Sequence, residues 1–329
     1  MRRRDARQAA LIAALAAWGG VSPAVGQQTL TVGATARYRT ISEAVHAARA
    51  GDRILIGPGT YREPTIVIDR PVSLIGDGRP TLDGEGQRQI MTVTADDVTL
   101  RGLRFAHVGT SYVEDRAEVK VIGARRCTIT DNQVDDAFFA IYLANVVGCR
   151  IEGNVVRGMA HDETGSGNGI HLWSSRGVTI TDNRISGQRD GIYFEFVHEA
   201  DVRGNVSEDN LRYGLHFMYS DDCRYVGNTF RRNGAGVAVM YTHRVIMTGN
   251  RFEDNWGAAA YGLLLKEIYD SRVDHNVFRH NTTALFADGA NRLIADRNDF
   301  LYNGWALRLD ANTQDGRFTR NGSVPWGRR

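Results

Sequence analysis

Cys127-Thr-Ile-Thr-Asp-Asn132 returns as Cys149-Arg-Ile-Glu-Gly-Asn154, Val178-Thr-Ile-Thr-Asp-Asn183, Cys223-Arg-Tyr-Val-Gly-Asn228, Val245-Ile-Met-Thr-Gly-Asn250 and Leu293-Ile-Ala-Asp-Arg-Asn298. With Asn205, Asn276 and Asn321 included, successive asparagines are 22, 29, 22, 23, 22, 26, 22 and 23 residues apart. A period in this range marks a solenoid, in which each repeat buries its apolar face on its neighbours. A second line precedes the asparagine by fourteen residues: Gly169-Ile-His-Leu172, Gly191-Ile-Tyr-Phe194, Gly214-Leu-His-Phe217, Gly236-Val-Ala-Val239 and Gly262-Leu-Leu-Leu265. Ala140 and Ala284 replace the glycine elsewhere, and in the last coil the interval from Ala306 to Asn321 slips to fifteen.

Both lines alternate apolar and polar, the period of a strand with one buried face. Val134, Val156, Ile185, Phe230, Phe252, Phe278 and Phe300, each two residues past an asparagine, add a third inward column. Three short strands per turn, stacked at about 4.8 Å on the next turn, predict an all-β, single-domain right-handed parallel β-helix with coils of about 22 residues over 27–329. Stacked at one corner, the asparagines hold the turn by bonding to one another and need no catalytic role. All length variation falls between the asparagine and the next glycine line, so the insertions Arg157 to Asn168 and Glu253 to Tyr261 are expected at one corner. Thr40 to Ala50 has helical spacing and is expected to cap the open N-terminal end. After Asn321 the last coil reads as incomplete.

Arg2, Arg3 and Arg4, an apolar run from Ala9 to Val21 and small residues through Gly26 form the pattern of a secretory signal peptide, expected over 1–26. No other stretch has the roughly twenty apolar residues of a transmembrane helix. A formal net charge of +2 with both signs interspersed gives no reason to expect nucleic acid as a partner. Cys127, Cys149 and Cys223 each lie five residues before a repeat asparagine and read as small inward-facing core residues, with a Cys127–Cys149 disulfide as the alternative.

Enzymes on this kind of scaffold gather carboxylates on one outward face. Here Asp96-Asp97, Asp135-Asp136 and Asp221-Asp222 are expected at different places in the repeat, which leaves a polysaccharide lyase or epimerase as the alternative. The outward columns of the glycine line are distinctive instead. Two residues past the glycine they hold Tyr142, His171, Tyr193, His216 and Ala238, and four past it Ala144, Trp173, Glu195, Met218, Met240 and Lys266. On an alternating strand these positions should face solvent, where methionine has no core to fill. Thioether and imidazole together favour soft copper(I). The candidate ligands are His216, Met218, Met240 and His243, followed by His171, Glu195, His198 and Asp221; His198, Asp221 and His243 form a column of their own. Spacing alone does not separate a metal site from an apolar patch for a protein partner.

In these same residues the sequence resembles the NosD family of nitrous oxide reductase maturation proteins. The matching words are Gly167-Asn-Gly-Ile-His-Leu-Trp173, Gly187-Gln-Arg-Asp-Gly-Ile-Tyr-Phe-Glu-Phe196, Asn210-Leu-Arg-Tyr-Gly-Leu-His-Phe-Met218, Asn233-Gly-Ala-Gly-Val-Ala-Val-Met-Tyr241, Arg251-Phe-Glu-Asp-Asn-Trp-Gly257 and Tyr261-Gly-Leu-Leu-Leu-Lys266. The resemblance implies a non-enzymatic periplasmic protein that sits on an ABC transporter of ATPase and permease subunits, and touches the membrane only through the permease. It implies help in assembling the copper centres of nitrous oxide reductase, with transient Cu(I) supplied by the copper chaperone NosL. Members of the family continue into further coils and a segment that docks on the permease, so the words after Arg320-Asn321 read as a shortened end. The ligand assignment rests on chemistry and spacing, not on the resemblance.

Overall fold

The computed structural model describes residues 26–111 and 113–325. The expected signal peptide, Gly26 apart, lies outside them. From Thr29–Val32 to Gly322–Val324 the chain winds as one right-handed parallel β-solenoid of about 13 turns with a single helix. Its three sheets have thirteen, twelve and eleven strands, and every pairing joins a strand to its equivalent one coil away.

A coil such as Thr128–Thr130, Gln133–Asp135, Phe139–Ala144 contributes one strand to each sheet in turn. Between the first two strands only Asp131 and the buried Asn132 turn the chain, and Asp131 takes φ 55°. Such left-handed corners recur all along the solenoid, because a short coil closes only by bending sharply at its vertices.

The expected asparagine ladder is continuous from Asn132 to Asn321. Each Nδ2 donates to the Oδ1 of the asparagine one coil on, at 2.9–3.1 Å. Each backbone N–H donates to that same oxygen. A second ladder, which the sequence reading missed, runs through Asn210, Asn233, Asn255, Asn281 and Asn303, each five residues past a member of the first. Inside, Phe230, Phe252, Phe278 and Phe300 stack with centroids 5.7, 4.6 and 5.0 Å apart.

The capping helix is shorter than expected, Ile41–Ala47. Thr40 and Glu43 form a reciprocal capping box at its start, and Ile41, Ala44 and Val45 bury against the first coils. Both insertions emerge between a twelve-stranded and an eleven-stranded segment, at one corner as expected. Two readings are corrected. Cys127 and Cys149 are not free core residues; they occupy equivalent places on adjacent coils, 4.5 Å apart at Cα, and form a disulfide, which leaves Cys223 as the buried free thiol. Asp97 and Asp222 share one corner of the repeat, because both N–H groups serve the same inter-coil bond, but several coils separate them and each pairs with the arginine one coil on.

Candidate functional site

The outward face of the eleven-stranded sheet carries the columns singled out above, in strands Asn168–Trp173, Asp190–Glu195, Tyr213–Met218, Ala235–His243 and Tyr261–Tyr269. The register stacks Tyr142, His171, Tyr193, His216, Ala238 and Leu264 on successive rungs. This column does not face solvent as expected. His216 is 7 % exposed and Ala238 is fully buried. The reason is that flat rings on a 4.8 Å ladder cover one another: Tyr142 and His171 stack at 4.5 Å, His171 and Tyr193 at 4.8 Å, and Tyr193 meets His216 edge-on at 5.2 Å. Burial, then the Arg189 guanidinium, pulls the His171 imidazole down to about 3, so that ring is neutral.

One position before the glycine, a second outward column reads Phe139, Asn168, Asp190, Tyr213, Ala235 and Tyr261. Asp190 is fully buried here, one Oδ accepting the Tyr213 N–H at 3.2 Å. Its other oxygen lies 3.7 Å from Arg189 Nε and 3.8 Å from His216 Nδ1. The Tyr213 and Tyr261 hydroxyls meet at 3.3 Å above this group. Asp190 Oδ2 and both ring nitrogens of His216 are buried without a hydrogen-bond partner, a costly state unless something else engages them.

Four past the glycine, Met218 and Met240 are directly paired rungs and half-buried, with Glu195 on the rung before and Lys266 on the rung after. Trp173 lies one rung further out and is exposed. Immediately past them the chain turns at Phe196, Tyr219 and Tyr241, whose exposed rings stack at 5.3 and 5.2 Å. These three take φ of 55, 50 and 56°, a conformation uncommon for bulky side chains.

The model of the family described as "Periplasmic copper-binding protein (NosD)" matches residues 157–322, half of the chain. The chain belongs to the NosD family. It is 31% identical over 163 residues to the "Probable ABC transporter binding protein NosD" of Pseudomonas aeruginosa, covering 48% of this chain and 37% of that protein. The protein of the same name from Stutzerimonas stutzeri is 26% identical over 284 residues, which cover 81% of this chain and 64% of that one. The chain thus spans well under two thirds of the first relative and just under two thirds of the second. Among solved structures, the A-module of the mannuronan C-5 epimerase AlgE6 from Azotobacter vinelandii superposes with TM-score 0.63 at 17% identity, over 87% of this chain and 93% of that one. The periplasmic alginate epimerase AlgG gives 0.63 at 13%, over 83% and 77%. At such identity these likenesses speak for the fold alone.

The NosD match contains the whole methionine strip. Of the expected ligands, Met218 and Met240 are brought together, and His216 lies two residues from Met218 on the same face. His243 sits past the aromatic corner, where its N–H and ring bond to Asp221, with His198 one further coil away. Glu195 takes the Tyr193 hydroxyl and His171 bonds Asn168. Among the described residues no group of three or more His, Cys, Asp or Glu is gathered as for a metal ion. The sequence reading missed Asp190, Arg189 and Arg212, whose Nε lies 3.9 Å from Asp190 Oδ1. Their signal was present in the words Gln-Arg-Asp-Gly and Leu-Arg-Tyr-Gly, where an arginine stands two residues before the repeat glycine and, in the first, an aspartate directly before it.

Proposed function

We propose that this NosD-family chain is a periplasmic accessory protein of an ABC transporter that accepts and presents Cu(I) as cargo for the copper centres of nitrous oxide reductase. The observation that carries this reading is the pair Met218–Met240 on adjacent rungs, half-exposed beside a histidine whose two ring nitrogens have no other partner. Two thioethers and an imidazole are soft or borderline donors, suited to Cu(I) and poorly suited to hard cations. Asp190 lies on the Nδ1 side of His216, where a carboxylate orients the ring and leaves Nε2 for the metal. The half-exposed thioether pair suits cargo that must leave again. In this reading His243, His198 and Asp221 stand apart from the ligands, and the copper donor NosL, the permease and ATPase, and the reductase are the partners.

Anaerobic Cu(I) titration of the purified chain, in competition with a chromogenic chelator, tests the assignment. One equivalent should bind, binding should be lost in Met218→Ala/Met240→Ala, and Asp190→Asn should weaken it by about 10- to 100-fold. Unchanged affinity in the methionine double variant refutes it. The rival polysaccharide lyase or epimerase draws on the Asp190–His216 pair with Arg189 beside it, an acid/base and anion-binding set. That pair is closed over by tyrosines, and the rival requires unsaturated or epimerised products from alginate.

A further inference from the structure

The first insertion creates a second place where polar groups converge without partners. Residues 158–167 reach over residues of the preceding coils such as Thr110, Asp136 and Phe138, are tied to the following coil by Gly158 N–H to Ser186 O and Ala160 N–H to Gly187 O, both 2.8 Å, and are held locally by the Asp162 carboxylate accepting from Thr164 and Gly165. Under them lies a cleft of about 400 Å³ lined by Thr110, Asp136, Phe138, Met159, His161, Ser166 and Gln188 among others. That volume is within the range of small-molecule sites.

Its floor is an interrupted ladder. Gln188 stands five residues past Asn183, the place that asparagine fills on the coils that follow, and its backbone N–H still donates to Asn210 Oδ1 at 3.1 Å. One coil earlier the equivalent position is Met159, where the insertion begins, so no ladder amide donates to the Gln188 side chain, and on the following coil Asn210 Oδ1 takes the Gln188 backbone N–H rather than its side chain. It is 1 % exposed and its Nε2 is without a hydrogen-bond partner, at the wall of the cleft. Around it the Asp136 carboxylate forms no ion pair among the described residues, unlike Asp97, Asp209, Asp222 and Asp270 at other corners, each of which holds an arginine. Among the described residues no lysine or arginine lines the cleft.

We propose that this cleft binds a neutral monosaccharide unit, at a site separate from the copper-handling face. The chemistry selects that class by elimination and by fit. A carboxylate or phosphate would meet Asp136 with no lining cation to offset it. An ammonium group would suit Asp136 but offers no acceptor to Gln188 Nε2. A bare metal ion finds no cluster of three His, Cys, Asp or Glu among the described residues. A sugar hydroxyl donates and accepts, so a ring carrying several can give a hydrogen bond to Asp136 and take one from Gln188, while its C–H face lies on Phe138 and Met159.

Saturation-transfer NMR and calorimetry on the purified chain test this, with glucose, galactose, mannose and xylose as free sugars, maltotriose as a glycan end, and glucuronate and putrescine as charged controls. At least one neutral probe should bind, about tenfold more tightly than either charged control, and Asp136→Asn should weaken it about tenfold, the loss expected for one charge-assisted hydrogen bond. Asparagine suits the left-handed corner at φ 58°, so that variant should keep its thermal midpoint. His161→Ala, on the exposed loop, gives a second variant with the same direction of effect. Preference for maltotriose over the free sugars identifies a glycan end as the source, and the reverse identifies a free sugar. Absence of binding by every neutral probe, tighter binding of glucuronate or putrescine, or affinity indifferent to both substitutions overturns the proposal. Cu(I) titration of Asp136→Asn should match the parent chain, so failure here is distinguishable from failure of the copper reading.

Discussion

Replacing Asn205 by alanine removes one rung from the middle of the first ladder. Its Oδ1 accepts the Asn183 backbone N–H and Asn183 Nδ2, both at 2.9 Å, and its own Nδ2 donates to the carbonyls of Ile180 and Arg203 and to Asn228 Oδ1 at 2.9–3.0 Å. All of this is shut away from water, since Asn183, Asn205 and Asn228 are each at most 1 % exposed. Asn183 Nδ2 keeps the Ile151 and Thr181 carbonyls, and Asn228 Oδ1 keeps the backbone N–H of residue 205. The Asn183 N–H, however, loses its acceptor. One orphaned buried donor costs roughly 1–3 kcal/mol, and the two carbonyl bonds add about 0.5–1.5 kcal/mol each. The expected loss is therefore about 2–6 kcal/mol, read from urea unfolding followed by tryptophan fluorescence. Asn321→Ala is the control: it bonds Asn298 in the same way, but water reaches it, and it should cost less than about 1 kcal/mol. Equal costs at the two positions would refute the claim that burial of the ladder, rather than its bond count, is what holds the corners.

Two further outcomes follow from the outward columns. His171 titrates at about 3 when folded and near 6.5 when free, so between those values the unfolded chain takes up a proton that the folded one refuses, and stability falls as pH falls. His171→Phe keeps a ring between Tyr142 and Tyr193 and should remove up to about 1.4 kcal/mol per pH unit of that decline, measured as urea midpoints from pH 7 to 4; parallel profiles would show that the buried ring is not the cause. Tyr219→Asn puts a residue tolerant of φ 50° at a corner that costs a bulky side chain roughly 1–2 kcal/mol, so it should leave stability level or raise it; a loss above about 2 kcal/mol would make the aromatic stack structural.

The solenoid was legible because every coil repeats one physical problem. A chain that turns within a few residues needs a side chain to bond its corner, and asparagine at a period near 22 declares that need. The second ladder was equally regular but was hidden by its start: Ala137, Met159 and Gln188 stand where its first three rungs would be, so no asparagine column precedes Asn210. The disulfide was harder to read, because a cysteine pair one period apart satisfies both a packed core and a bond, and paired rungs bring the Cα atoms within bonding reach in either case; only the placement of the two sulfurs as a bonded pair distinguishes them. At the site, alternation placed His216 outward correctly, but outward on a β-helix is not exposed when neighbouring rungs carry rings wide enough to close over one another. Asp190 escaped notice for a related reason: a carboxylate beside a repeat glycine looks like a turn residue until its burial is seen.

Strain and exposure coincide on this molecule in a way that packing does not explain. The corner occupied by Phe196, Tyr219 and Tyr241 is filled on neighbouring coils by Asn145, Ser174, Glu267 and Gly289, all left-handed and none aromatic. A solenoid indifferent to that corner would use small or polar residues on every rung, since exposed rings gain little from burial and the conformation costs each of them. The aromatic residues instead take the three rungs that carry Glu195, Met218 and Met240, directly beyond them in the chain. Structure that is unfavourable locally and persists is held for what it does. On the proposed copper reading, the rings wall one side of the half-buried thioether pair and limit water and oxidant at the sulfur atoms.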